Sequence, residues 1–247
     1  MNQTIESILN HRSIRSYTNQ PIQDATLDSI LACAQAAPSS INGQQMSVIV
    51  VKDQKTKDQI AELTGGQSWI SQAPVFLVFV ADFYRAKLAS DLNNQELVLT
   101  NNVESTLVAS VDTGLAMGNT IAAAESVGLG TVCIGGIRNA PDKMIELLNL
   151  PEYTFPLSGL CLGYYDAAQA PDKKPRFPKE AVIHNETYNH DLTETIKAFD
   201  TVITEYMAAR PASGQTHDWS GFMSGIYSSV YFPKVSPVMK SQKFFNE

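Results

Sequence analysis

The stretch Val75-Phe-Leu-Val-Phe-Val-Ala81, introduced by Pro74, does most to limit what this chain can become. Seven consecutive apolar residues, mainly β-branched and aromatic, read as a strand buried on both faces, because a strand with one wet face alternates polar and apolar side chains. The run is far short of the ~20 residues a membrane-spanning helix needs, so no membrane segment is expected. A second strand of the same kind falls at Val48–Val51. Two such strands call for helices on both sides of a sheet, and 247 residues, 44% of them hydrophobic, suffice to supply them within one domain.

The spacing of apolar residues places those helices. A first helix runs over Thr4–Leu9, and Asp24 is the expected N-cap of a second, whose Leu27, Ile30, Leu31 and Ala34 recur until Pro38 forbids continuation. Another covers Lys55–Leu63. Val103, Leu107, Val111 and Leu115 are four apart, and the pattern continues through Ile121 to Val127 as one long helix of about seven turns, expected to be central to the core. Gly114 and Gly118 on that helix suggest a close helix approach. A strand at Thr131–Ile134 runs into Gly135-Gly136, and a helix at Asp142–Leu148 and a strand at Leu157–Gly163 complete the body. Residues 167–179 are too rich in proline and basic residues to be regular. Helices follow at Thr193–Ala209 and Asp218–Val230, and the last fifteen residues read as an extended apolar tail that packs on its own body or on a partner. Helices around a mixed sheet with a long core helix point to a three-layer α+β or α/β domain spanning residues 1–247, with about 180–247 as a helical excursion and tail.

A formal net charge of −7 argues against nucleic acid or an anionic membrane as partner. The first fifteen residues carry no apolar h-region, so a cytoplasmic protein is expected. Cys33, Cys133 and Cys161 are far apart in apolar surroundings and read as buried free thiols. His11, His184, His190 and His217 lack metal-site spacing, so no metal is expected. There is no Gly-x-Ser-x-Gly elbow and no Walker sequence. Gly128-Leu-Gly-Thr-Val-Cys-Ile-Gly135 follows a helix and enters a strand, the reverse of a dinucleotide-binding turn. With few catalytic side chains to hand, the chemistry falls to a bound cofactor.

One segment concentrates anion-binding groups. In His11-Arg-Ser-Ile-Arg-Ser-Tyr17, an extended backbone puts His11, Ser13 and Arg15 on one face, where a guanidinium fork, a hydroxyl and an imidazole are able to grip a phosphate or ribityl chain. Taken alone, the same composition also describes a charged surface loop.

Further segments decide between these. His11-Arg-Ser-Ile-Arg15, Ala37-Pro-Ser-Ser-x-x-x-Gln44, Thr64-Gly-Gly-Gln67, Ala122-Ala-Ala-Glu-Ser-Val-Gly-Leu-Gly130, Ile134-Gly-Gly-Ile-Arg138, Gly159-Leu-Cys-Leu-Gly163 and Lys173-Lys-Pro-Arg-Phe-Pro178 occur in order. With them the whole chain resembles the FMN-dependent nitroreductase superfamily, and within it the NADPH-dependent oxygen-insensitive nitroreductases and flavin reductases. The resemblance implies a three-layer α+β nitroreductase-like fold with a central mixed sheet, assembled as a domain-swapped homodimer in which the excursion over about 180–247 ends in a dimer-embracing tail.

It also implies a site. His11, Arg12, Ser13 and Arg15 would contact the phosphate, ribityl or ring edge of a tightly bound FMN, with Lys174 and Arg176 sharing that work. Ser39, Ser40, Asn42 and Gln44 would come from the neighbouring subunit, Gln67 would approach the ring, and Ile134, Gly135 and Gly136 would lie against the isoalloxazine. No protein side chain is implied as catalytic. Hydride would pass from NADPH or NADH through the flavin to an acceptor such as a nitroaromatic compound, a quinone or free flavin, in ping-pong fashion; a non-enzymatic flavin-binding or flavin-delivery protein is the alternative, and an interaction module using the apolar tail a third. Arg210 matches the first of two basic residues that hold the 2′-phosphate in relatives preferring NADPH, but Pro211-Ala-Ser-Gly-Gln-Thr-His217 lacks the arginine expected before Asp218. One lost charge-assisted contact costs about 1.5–3 kcal/mol, or roughly ten- to a hundredfold in discrimination, with His217 a partial substitute.

Overall fold

A computed structural model describes residues 2–210 and 217–245 of the chain. They fall into two compact units, Met1–Pro171 together with Lys234–Glu247, and Asp172–Pro233.

In the first unit the order is α1 (Gln3–Leu9), α2 (Asp24–Gln35), β1 (Met46–Val51), α3 (Gln54–Leu63), α4 (Ser68–Gln72), β2 (Val75–Asp82), α5 (Tyr84–Leu92), α6 (Val103–Ser126), β3 (Gly130–Ile134), α7 (Pro141–Leu147), β4 (Thr154–Gly163) and, after the second unit, α10 (Val235–Ser241). Side-chain caps set several starts: Asp53 accepts from the Thr56 amide at 2.8 Å and Asn102 from the Glu104 amide at 3.0 Å. Asp24 is not a cap. It is the first residue of α2 and pairs with Lys52 at 2.7 Å, while Gln23 precedes it without a side-chain cap.

The strands pair in the order β1-β2-β4-β3, and every pairing is antiparallel, from Val51 opposite Phe76 to Val75 opposite Leu162 and Gly130 opposite Gly163. The expected mixed sheet is therefore corrected. Helical spacing does not tell whether a link crosses the sheet or folds back at one end, and both links between consecutive neighbouring strands fold back. The one parallel pairing among the described residues is an isolated bridge, Ser13 beside Thr131, with the Ile14 amide donating to the Thr131 carbonyl at 2.8 Å.

Strand β2 is buried along its whole length, as its sequence requires. Its alternation sends Phe76, Val78 and Val80 into a cluster with Ile60, Ile70 and Met144 from α3, α4 and α7. Val75, Leu77 and Phe79 go into another with Leu27 and Ile30 of α2 and Ala116 and Ala124 of α6. Each large side chain so placed contributes about 1.5–3 kcal/mol. Helices thus cover both faces of the sheet. Edge strand β1 is less protected than its apolar sequence suggests, because a cavity between it and α2 leaves Met46, Val48 and Val50 only partly covered.

Four other expectations change. The four-spaced stripe of α6 does not face the core: Val103, Leu107, Val111 and Leu115 are 53%, 55%, 60% and 42% exposed, while Ala109, Asp112, Thr113, Ala116, Thr120 and Ala124 are buried. Beside that stripe, a Cβ at Gly114 or Gly118 would meet no atom within 4 Å, so no helix among the described residues approaches them. The tail is not extended. It forms α10 and returns Met239 and Phe244 to the chain's own core beside Phe83, Ala109 and Phe155. Of the cysteines only Cys161 is buried; Cys33 and Cys133 are exposed.

The second unit contains α8 (Thr193–Ala208) and α9 (Trp219–Tyr227). Asp218 caps α9 by accepting from the Gly221 amide at 2.7 Å, and Asp200 accepts from the Ser220 amide at 2.8 Å and its hydroxyl at 2.6 Å. These bonds hold the Asp200 carboxyl below the usual carboxylate range. Among the described residues no helix is long and apolar enough to cross a membrane.

Candidate functional site

The basic segment is laid along β3 by the Ser13–Thr131 bridge and by Ile14, which is buried. His11 is oriented from α6. Its Nδ1 lies 2.7 Å from Glu125 Oε1, and the same oxygen accepts from Thr131 Oγ1 at 2.8 Å. A carboxylate only accepts, so Nδ1 carries the proton and Nε2 is the nitrogen left for a ligand. Arg15 rests over the Trp69 ring, 5.7 Å from its centroid, and Arg12 Nε reaches only the Asn10 carbonyl at 3.4 Å. Among the described residues neither guanidinium faces a carboxylate, and the Ser13 hydroxyl has no hydrogen-bond partner. Tyr17, whose hydroxyl donates to the Ile14 carbonyl at 2.7 Å, closes the segment, and burial pushes its phenol up.

Beyond the end of β3, residues 135–138 form a single 3-10 turn. Gly136 faces Gln67, whose Nε2 donates to the Thr64 carbonyl at 3.0 Å; a Cβ on Gly136 would lie 2.5 Å from that nitrogen and 2.9 Å from the carbonyl oxygen. Gly135 and Gly136 are both partly exposed, and Ile134 beneath them is buried. Gln67, Gly136 and Ile134 are thereby brought to one end of β3.

The serine loop is placed elsewhere. Ser39 Oγ donates to Asp112 Oδ2 at 2.6 Å, the Ser40 amide donates to Asp112 Oδ1 at 3.1 Å, and Ser39 Oγ accepts from the Gln44 amide at 2.7 Å. From the other side Arg85 donates to the carbonyls of Gln44 and Met46 and to Asp82 Oδ2. Ile41, Asn42 and Gln44 have φ of 49°, 56° and 53°, a left-handed run that a β-branched residue adopts only under constraint. Asp112 and Glu125 are thirteen residues apart on α6, so at 1.5 Å per residue the serine loop and His11 are anchored about 20 Å apart. One chain does not bring its serine loop to its own basic segment.

Lys174, Arg176 and Arg210 lie in the second unit. With His217 they line a cavity of about 740 Å³ whose walls include Phe177, Phe199 and Trp219. Phe177 packs between the other two rings at centroid distances of 4.0 and 4.8 Å. The gap after Arg210 falls on residues 211–216, outside those described.

Sequence reasoning missed Asp112, Glu125, Trp69 and Arg85. Glu125 stood within a quoted motif, and its helical position beside the first strand residues was the available signal; the others had none.

A sheet with helices on both faces, two guanidiniums without acidic partners among the described residues beside it and a glycine turn at a strand end define an antiparallel α+β scaffold that carries an anion-compatible donor set. The model of the Nitroreductase family matches residues 8–164 and that of the Nitroreductase family, C-terminal domain, matches residues 174–247; the chain belongs to the nitroreductase family. It is 51% identical over 247 residues to FMN reductase [NAD(P)H] of Bacillus subtilis (strain 168), covering 99% of this chain and 98% of that one. It is 40% identical over 221 residues to the oxygen-insensitive NADPH nitroreductase of Salmonella typhimurium, covering 89% of each. A solved structure of B. megaterium NfrA2 superposes with a TM-score of 0.95 at 48% identity, covering 99% of this chain and 98% of that one.

Proposed function

We propose that the chain is a homodimeric, FMN-dependent NAD(P)H oxidoreductase that reduces a small acceptor such as a nitroaromatic compound, a quinone or a free flavin. The observation that carries this is the donor set at Arg12, Ser13 and Arg15, which has no acidic partner among the described residues of an acidic chain and fits a phosphate monoester. Bound FMN would supply the hydride-transfer chemistry between a reduced nicotinamide and the acceptor.

The chain's own residues bind and orient. Arg12 and Arg15 neutralise the phosphate, and the Ser13 hydroxyl and His11 Nε2 add single hydrogen bonds. Gly135 and Gly136 give a ring edge access to the backbone, with Gln67 beside them and Ile134 as an apolar floor. Lys174 and Arg176 are assigned to phosphate and Arg210 to the nicotinamide nucleotide. No side chain is assigned to move a proton.

Two features support the second subunit. The α6 stripe from Val103 to Leu115 is an exposed apolar strip of the kind that marks a protein interface. The serine loop, held about 20 Å from its own basic segment, is free to offer Ser39, Ser40, Asn42 and Gln44 to the flavin of another copy. Location in the cytoplasm is part of the same reading.

Anaerobic titration of the FMN-loaded chain with NADPH and with NADH, followed by addition of acceptors, tests it. Bleaching of the flavin by either nucleotide and its recovery on adding acceptor is the expected outcome. A chain that stays colourless after gentle purification with FMN, or a yellow one that neither nucleotide bleaches, overturns it.

A further inference from the structure

We infer that Asp112 is a positioning residue for the flavin site: from inside α6 it locks the serine loop in the conformation that a second subunit's FMN requires. The inference rests on the reading of that loop given above.

Asp112 is 4% exposed, and among the described residues no cation neutralises it. A buried carboxylate without a counter-ion is costly unless its hydrogen bonds are indispensable. All of its recorded bonds go to the serine loop: Oδ2 to the Ser39 hydroxyl and Oδ1 to the Ser40 amide. Because Ser39 Oγ also accepts from the Gln44 amide, the carboxylate closes residues 39–44 into a ring pinned to the helix. That ring encloses the left-handed residues Ile41, Asn42 and Gln44 and carries Ile41 with its side chain outward, 94% exposed. An isolated loop would relax from such backbone angles, so the ring supplies what holds them. Arg85 clamps the same loop at the Gln44 carbonyl, from the sheet side. Fewer loops in the competent conformation weaken FMN in proportion, without touching any atom that contacts it.

The test uses the full-length FMN-loaded protein. Release of FMN on dilution is followed by its fluorescence in wild type, Asp112→Ala, Asp112→Asn and Ser39→Ala, with sedimentation and thermal melting run on each. Asp112→Ala is expected to weaken FMN about tenfold. Asp112→Asn, whose Oδ1 still accepts from Ser40 and whose amide can donate to Ser39, is expected to stay within about threefold of wild type. Ser39→Ala opens the ring and also removes a hydroxyl assigned to the flavin, so its expected loss supports the inference only together with the Asp112→Asn rescue. Tight FMN in both Asp112→Ala and Ser39→Ala overturns the inference while leaving the site reading intact. So does a loss in Asp112→Ala that merely tracks a lower melting temperature, without rescue in Asp112→Asn. A wild-type chain that binds no FMN overturns the site reading itself, and this inference with it.

Discussion

The double substitution Gly114→Ala/Gly118→Ala separates a helix face left to water from one that meets a second copy. Within one chain the added methyl groups touch nothing, since a Cβ at either position has no neighbour within 4 Å. Alanine in place of a helical glycine stabilises by about 0.5–1 kcal/mol. A solvent-facing α6 therefore gains about 1–2 kcal/mol from the pair, and for a protein of this size melting rises by about 2–8 °C. The proposed dimer predicts the opposite. Gly114 and Gly118 continue the stripe of Val103, Leu107, Val111 and Leu115, and in a two-fold interface each methyl appears twice. Overpacking of about 1 kcal/mol per methyl then costs about 4 kcal/mol of association, near a thousandfold in the dimer dissociation constant. Sedimentation across a concentration series, with melting curves on the same samples, reads both quantities. A variant that dimerises as tightly as wild type and melts several degrees higher refutes the placement of the interface on this face.

Other outcomes follow from the same geometry. Arg15→Ala removes a charge-assisted phosphate contact worth about 1.5–3 kcal/mol, so FMN affinity by fluorescence titration should fall about ten- to a hundredfold, and unchanged affinity would falsify its assignment. Gly136→Ala drives a Cβ to 2.5 Å from Gln67 Nε2 and 2.9 Å from the Thr64 carbonyl oxygen. About 1–3 kcal/mol of strain plus a broken hydrogen bond of about 1 kcal/mol should appear as a lower denaturant midpoint and faster FMN release together. Burial pushes both the Tyr17 phenol and the Cys161 thiol above their ordinary values. The folded state therefore holds those protons more tightly: their contribution is complete below about pH 8.5 and drains away as pH climbs through the folded values. Chemical denaturation from pH 8 to 11 should show a falling stability whose slope flattens in Tyr17→Phe/Cys161→Ala; equal slopes would exclude these groups. Phe244→Ala empties a fully buried site and should cost about 3–5 kcal/mol, whereas a tail docked only on a partner would leave the isolated chain's stability unchanged.

How much of this was legible depended on the range over which each residue acts. Strand β2 was readable because seven neighbours in sequence carry the whole signal. The ends of α6 were readable too, but a four-residue period says only which side chains share a face, never what that face meets; here it meets none of the chain's own core. Strand direction was not readable, since it depends on where a link re-enters the sheet. Residues 235–241 read as extended in a tail that holds Pro233 and Pro237, yet proline in a first helical turn, where Pro237 lies, breaks no internal hydrogen bond. At the site, the arginines and glycines announced themselves by local density. Asp112 and Glu125 did not, because their partners lie 73 and 114 residues away in sequence.

Those two carboxylates are what the proposed sharing of one site between two copies rests on. Each grips a different segment, Asp112 the serine loop and Glu125 the histidine of the basic segment, and the rigid helix between them keeps the segments about 20 Å apart. A flexible connection would let one chain fold both segments around one ligand. A rod does not, so on the proposed reading the serine loop serves a flavin beside another copy's basic segment. The same helix carries on its outer face the apolar stripe suited to hold that copy. Any substitution that bends α6 between residues 112 and 125 should therefore weaken FMN and dimerisation together, whereas substitutions confined to either anchored segment should weaken FMN and leave the dimer intact.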